Sequence, residues 1–131
     1  ILRSVEGSLR RLRRNHLNIL LVHEPRQFAL DDESERIFEE LRATRTVGAY
    51  GLGYGGAPEP GLRFGQVVQS AWPSTTQRSD ALQIWHGILR TDREPNDGRA
   101  GSGVRRLREV LAQSHTTAAI VSASAANQIR A

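Results

Sequence analysis

Four histidines, two tyrosines and fourteen acidic residues are the side chains of this 131-residue chain best suited to moving a proton, and no cysteine joins them. His16, His23, His86 and His115 show no short spacing that would bring two imidazoles to one ion, so no metal site is expected. What remains to an imidazole is proton transfer or the polarisation of a bound carbonyl. His23 stands out because it closes the run NILLVHEP, residues 18 to 25, in which four apolar residues lead into a histidine, a glutamate and a proline. A histidine at the end of a buried strand either hydrogen-bonds within the core or faces a ligand at the sheet's end. The run alone leaves both open. GYGG, residues 53–56, is no phosphate loop, because no Lys-Ser/Thr pair follows it.

The elements that must position His23 follow from periodicity. Leu2, Val5, Leu9 and Leu12 recur at helical spacing and predict a helix over 2–14, followed by a strand over 17–23. Asp32, with Glu35 three residues on, is the expected N-cap of a helix over 33–43. Apolar runs predict strands over 47–52, 66–72, 81–89 and 117–122, and Val104, Leu107, Val110 and Leu111 mark a helix over 103–113. Between the strands, APEPGLRFG and PSTTQRSD read as loops, RTDREPNDGRAGSG as a longer one, and Ser124 as the cap of a last helix.

The order is α-β-α-β-β-β-α-β-α, with several strands that are continuous apolar runs. Such strands belong to a parallel sheet covered by helices. Two architectures fit: an open doubly wound sheet, or a slice of a (β/α)8 barrel, whose full length is about 250 residues. A single domain over 1–131 is expected, and both ends look cut.

Composition narrows the partners. All 18 basic residues are arginine, which leaves no lysine for a Schiff base, and the net charge is +4. LRRLRRNH, residues 9–16, can contact nucleic-acid phosphates, but its arginines also suit the solvated face of an amphipathic helix, and nucleic acid is not the expected partner. No apolar run approaches the ~20 residues of a membrane span.

SVEGSLRRLRRNHLNILLVHEP, residues 4–25, resembles the aldo/keto reductase segment S-L-x-x-L-x-x-x-x-[LIV]-D-[LIV]-x-[LIV]-[LIV]-H-x-P. It matches at Ser8, Leu9, Leu12, Leu17, Ile19, Leu21, His23 and Pro25, with Asn18 in place of the family's aspartate. Further on, VGAYGLGYGG, QVVQSAW, QIWHGIL and AAIVSASAANQIR are similar in order to the family's later strands and its cofactor-phosphate loop. The resemblance implies an α/β fold, a partial (β/α)8 TIM barrel comprising strands four to eight, with about five parallel strands and covering helices.

By the same resemblance, His23 orients the carbonyl of an aldehyde or ketone that takes a hydride from NADP (or NAD). A tyrosine, tuned by a lysine and an aspartate, would donate the proton. Cofactor contacts would come from Gln69 near the nicotinamide, Trp85 as a stacking aromatic, and Ser122, Ser124 and Gln128 in the phosphate loop, with Arg130 nearby. Each has a plainer alternative: Gln69 as a polar sheet residue, Trp85 as core packing. His86 either lines the same mouth or faces solvent. The departures are specific. The family's tyrosine, lysine and aspartate lie on earlier strands, Tyr50 and Tyr54 do not match that tyrosine, and Gly53-Tyr54 stands where the family has Ser-Asn. A cytoplasmic protein, inactive alone, is therefore expected. Its partners would be a small carbonyl substrate and either a missing N-terminal half or a second copy joined through exposed sheet edges, with no membrane. The alternative is a half-barrel that binds or assembles without catalysis.

Overall fold

The computed structural model describes residues 1–25, 30–74, 78, 80–89, 102–113 and 116–121, with the backbone alone for residues 102 and 117. Its elements run α1 (Leu2–Leu12), β1 (Leu17–His23), α2 (Asp32–Ala43), β2 (Val47–Gly53), β3 (Val67–Ala71), β4 (Leu82–His86), α3 (Ser102–Leu111) and β5 (Thr116–Ala119).

All four strand pairings are parallel, and the strands lie in the order β1-β2-β3-β4-β5. A doubly wound sheet reverses direction at its switch point. Here each strand lies beside its predecessor without reversal, as successive staves of a barrel do. That order decides between the two architectures the sequence leaves open: the fold is a partial (β/α)8 barrel.

Alternation along the strands sorts the side chains into two faces. Leu20 and Val22 on β1, Tyr50 and Leu52 on β2 and Val68 on β3 join the core with Val5 of α1 and with Phe38 and Leu41 of α2. Trp85 on β4 packs against Leu107 and Val110 of α3. These residues form the outer, helix-covered face. The concave face carries the alternate residues: Ile19, Leu21 and His23; Gly51 and Gly53; Val67, Gln69 and Ala71; Leu82, Ile84 and His86. It is open at Ile19 and Leu82, which are 41% and 45% exposed.

Three rings fix α2 and the β2–β3 loop to the sheet. Phe38, Tyr50 and Phe64 pack with centroids 5.0 to 5.2 Å apart, Phe64 edge-on to both others. Each such pair adds about 0.5–1.5 kcal/mol beyond its burial. The Tyr50 hydroxyl donates to Glu39 Oε1 at 2.7 Å. Burial and that carboxylate push the Tyr50 hydroxyl up to about 12.

Two details differ from the sequence expectation. The N-cap of α2 is Asp31, not Asp32: its backbone is extended (φ −94°, ψ 171°) and its carboxylate accepts from the Ser34 N–H at 2.8 Å. Asp32, Glu33 and Glu35 then occupy the first turn, where acids complement the helix dipole. The strand expected over 81–89 stops at His86, because Gly87 turns the chain with φ 68°. Ile88 beyond it is buried beside Trp85 and Val110. The last helix, expected from Ser124 onward, lies outside the described residues.

Candidate active site

His23 is the last residue of β1, at the carboxyl end of a parallel strand, where barrel side chains meet a ligand. The chain just past it is held tightly. Glu24 adopts a left-handed backbone (φ 47°), at a cost of about 1–2 kcal/mol for a residue other than glycine. Two contacts hold it there: its N–H donates to Gly53 O at 2.6 Å, and its carboxylate accepts from the Gly55 N–H. Both tie the end of β1 to the end of β2, so the Cα of His23 is fixed relative to the neighbouring strand.

The register then gives a row of residues across the sheet. His23 pairs with Gly53, Gly53 with Gln69, and Gln69 with Ile84. Strands lie about 4.8 Å apart, so His23 and Gln69 stand about 10 Å apart at their Cα atoms. Gly53 puts no side chain between them. Among the described residues, neither the His23 ring nor the Gln69 amide has a hydrogen-bond partner, and His23 is exposed while Gln69 is half-buried. The result is a flat-floored gap between an imidazole and a primary amide, each free to bond a ligand.

One rung further along, Ala71 pairs with His86. The His86 ring also lies on the concave face, with Nε2 2.8 Å from the Tyr54 carbonyl oxygen. With Nε2–H donating to that carbonyl, Nδ1 of the neutral ring remains an acceptor. This bond spans from β4 to the end of β2 and closes the mouth on its far side. His86 is the residue the sequence reading left undecided. Period-two alternation signals its face only once the pairing of β3 with β4 is known.

Trp85 lies on the opposite face. It is fully buried against Ile88 and Val110, and its indole N–H donates to Thr116 Oγ1 at 3.0 Å. This placement fits the packing alternative and sets the indole apart from the concave gap. Tyr54, in the place of the family's asparagine, likewise turns outward and joins the core beneath α2. Ser122, Ser124, Gln128 and Arg130 lie outside the described residues. Among the described residues no group of three or more His, Asp or Glu side chains is placed to hold a metal ion. No helix among them is long and apolar enough to cross a membrane.

Neither tyrosine of the chain reaches the gap. Both rings are in the outer core, and burial raises both hydroxyls above their ordinary value. Among the described strand residues, the imidazoles of His23 and His86 are the proton-active groups that the alternation places on the concave face. Gln69 stands beside the backbone of Gly53, with its amide at the border of the gap.

No protein-family model matches the sequence, and no curated protein matches it. Solved structures do. A protein of Pseudomonas aeruginosa assigned as an aldo-keto reductase superposes with a TM-score of 0.68 at 24% identity, covering 97% of this chain and 54% of that one. An aldo-keto reductase of Bacillus halodurans, in its apo form, superposes with a TM-score of 0.66 at 17% identity, covering 98% of this chain and 59% of that one. The chain thus spans little more than half the length of the structures it matches. Five parallel strands in unbroken order, helices on their outer face and this likeness together give the chain the fold of a partial (β/α)8 barrel, similar to about half of an aldo-keto reductase.

Proposed function

We propose that this chain is the His23-bearing part of an NAD(P)H-dependent reductase of aldehydes or ketones, and that it is inactive until other strands complete the barrel. The observation that carries the proposal is the concave row His23–Gly53–Gln69, whose two polar side chains have no hydrogen-bond partner among the described residues and face a flat gap. His23 would donate a hydrogen bond to the substrate oxygen and fix its orientation. Gln69 would hold a carboxamide through paired donor and acceptor bonds. The dinucleotide, when bound, supplies the hydride. Glu24, locked to Gly53 and Gly55, keeps the imidazole from swinging away as charge develops on the oxygen.

Proton delivery is the missing function. Tyr50 is engaged by Glu39 and Tyr54 is turned outward, so no tyrosine of this chain is available. Chain-internal lysine is absent as well. A positioned acid contributes about 10²–10⁴-fold, so activity requires residues from outside this sequence. Either a separate set of strands or a second copy would have to cover the open concave face and the edge strands β1 and β5. The cytoplasm, with its NAD(P)H supply, is the compartment this reading implies.

A second reading is favoured by one observation: Gly53-Tyr54 removes the side chains that the family presents to the nicotinamide amide. In that reading the half-barrel binds or assembles and does no chemistry. The test is a titration of the purified chain with NADPH, followed by fluorescence, and an assay of carbonyl-dependent NADPH oxidation with and without a polypeptide supplying the other strands. Binding that weakens in Gln69→Ala, with turnover only after complementation, supports the reductase reading. Absence of binding in the complemented protein overturns it in favour of the assembly reading.

A further inference from the structure

On the outer face of the sheet, away from His23, the chain between β2 and β3 crosses as a loop over residues 54–66 rather than as a helix. A barrel helix would fill that space with apolar side chains. The loop instead leaves a cavity of about 170 Å³, whose walls include Tyr54, Glu59, Leu62, Arg63, Val68 and Arg78. A water's share of liquid volume is about 30 Å³, so the space accommodates a molecule of several heavy atoms.

Two donors bordering this cavity have no hydrogen-bond partner among the described residues: the Tyr54 hydroxyl and Nη1 of Arg78, both buried. Tyr54 is 5% exposed. The guanidinium is held on its other edge, where Nε and Nη2 donate to Asp80 Oδ1 and Oδ2 at 3.1 and 2.9 Å. Its remaining nitrogen is thus fixed in place without a bond to any described residue. Buried donors are almost always satisfied, and two orphans on one cavity call for a shared acceptor. Burial keeps the Tyr54 hydroxyl protonated, so it offers a hydrogen.

The surroundings narrow the acceptor. Asp80 offsets the Arg78 charge and also lies 3.7 Å from Arg63, and Glu59 adds a carboxylate to the wall. A dianion would meet the Glu59 carboxylate on the wall. Leu62 and Val68 suit a short hydrocarbon. We propose that this cavity binds a small monocarboxylate, whose oxygens accept from the Tyr54 hydroxyl and Arg78 Nη1 and whose aliphatic part lies against Leu62 and Val68. The site is independent of the concave gap and of the reductase reading.

The test is an NMR titration of the isotopically labelled chain with sodium butyrate, with sodium chloride and butyramide as controls. Saturable shifts at Tyr54, Leu62 and Val68 are expected with butyrate and not with chloride. Tyr54→Phe, which keeps the ring, should weaken binding about tenfold, the loss of one hydrogen bond to a charged group. Arg78→Gln should abolish it. Shifts that never saturate, or that chloride reproduces, overturn the proposal, as does butyramide binding as tightly as butyrate. An unchanged dissociation constant in folded Tyr54→Phe overturns it too, and remains informative if Arg78→Gln fails to fold.

Discussion

His23 and Gln69 share one row of the sheet, two strands apart, with only the backbone of Gly53 between them. Both are at or near the carboxyl ends of their strands, and both face the concave side.

Removing either side chain should cost little stability, because neither has a hydrogen-bond partner among the described residues. His23→Ala and Gln69→Ala should stay within about 0.5 kcal/mol of the parent in urea unfolding, as surface substitutions do. Under the proposed reductase reading, once other strands complete the barrel, His23→Ala should lower kcat/KM by about 10²-fold or more, whereas Gln69→Ala should act mainly on the apparent affinity for NADPH. Steady-state kinetics separates the two.

Two glycines of β2 should respond in opposite ways to alanine. A Cβ on Gly51 would lie 1.8 Å from Val67 O, in backbone that cannot move without parting β2 from β3. Gly51→Ala should cost about 3 kcal/mol or more, or prevent folding. A Cβ on Gly53 would meet the Leu21 side chain at 3.6 Å and the Val22 carbonyl oxygen at 3.8 Å, both ordinary contact distances. Gly53→Ala should be neutral or stabilising by about 0.4–1 kcal/mol. Urea midpoints measure both, and a destabilised Gly53→Ala would count against the open floor described here.

Trp85 and His86 are neighbours on opposite faces, so their substitutions should separate stability from binding. Trp85→Ala should cost about 3–5 kcal/mol, as expected for a buried aromatic. Trp85→Phe should fold and leave NADPH affinity unchanged. His86→Ala should be milder in unfolding yet alter ligand binding at the concave mouth. Equal effects of Trp85→Phe and His86→Ala on NADPH affinity would contradict the faces assigned to them.

The Tyr50–Glu39 bond should give the fold a pH dependence at both ends. Tyr50 titrates at about 12 in the folded chain against 10.0 when free, so the folded state favours its neutral form. That contribution is fully present below pH 10 and is lost as pH rises from 10 through 12. Hydrogen bonds from Tyr50 and Arg42 lower Glu39 below its ordinary 4.5. Its contribution is present above 4.5 and fades as pH falls below it. Tyr50→Phe should remove the alkaline loss and reduce the acid one, which melting midpoints across pH will show.

Asp31→Ala should lower the melting midpoint more than Asp32→Ala, because only Asp31 caps α2 through Ser34. Circular dichroism melts of the two variants decide this. An equal drop would mean that helix-dipole charge, and not the cap bond, carries the effect.

The helices and strands were legible because they are written in local terms. The spacing of Leu2, Val5 and Leu9 makes α1 a helix whatever it packs against, and the run to Val22 makes β1 a strand. The place of His23 at a strand end followed in the same way. Boundaries set by a single bond were less legible: Asp31 and Asp32 are both good caps in sequence, and only the backbone angle at Asp31 selects one. What the sequence left open was pairing. Parallel runs of apolar residues suit a doubly wound sheet and a barrel stave alike, and only the unbroken strand order separates them. The same is true of Trp85 and His86. Adjacent residues of a strand always point apart, but which one faces the gap depends on hydrogen-bond register with β3, a relationship between segments distant in the chain. Residue types and their spacing therefore determined the elements and the candidate imidazole. Tertiary structure alone decided which side chains share a face, because a one-residue slip between strands would exchange every one of them.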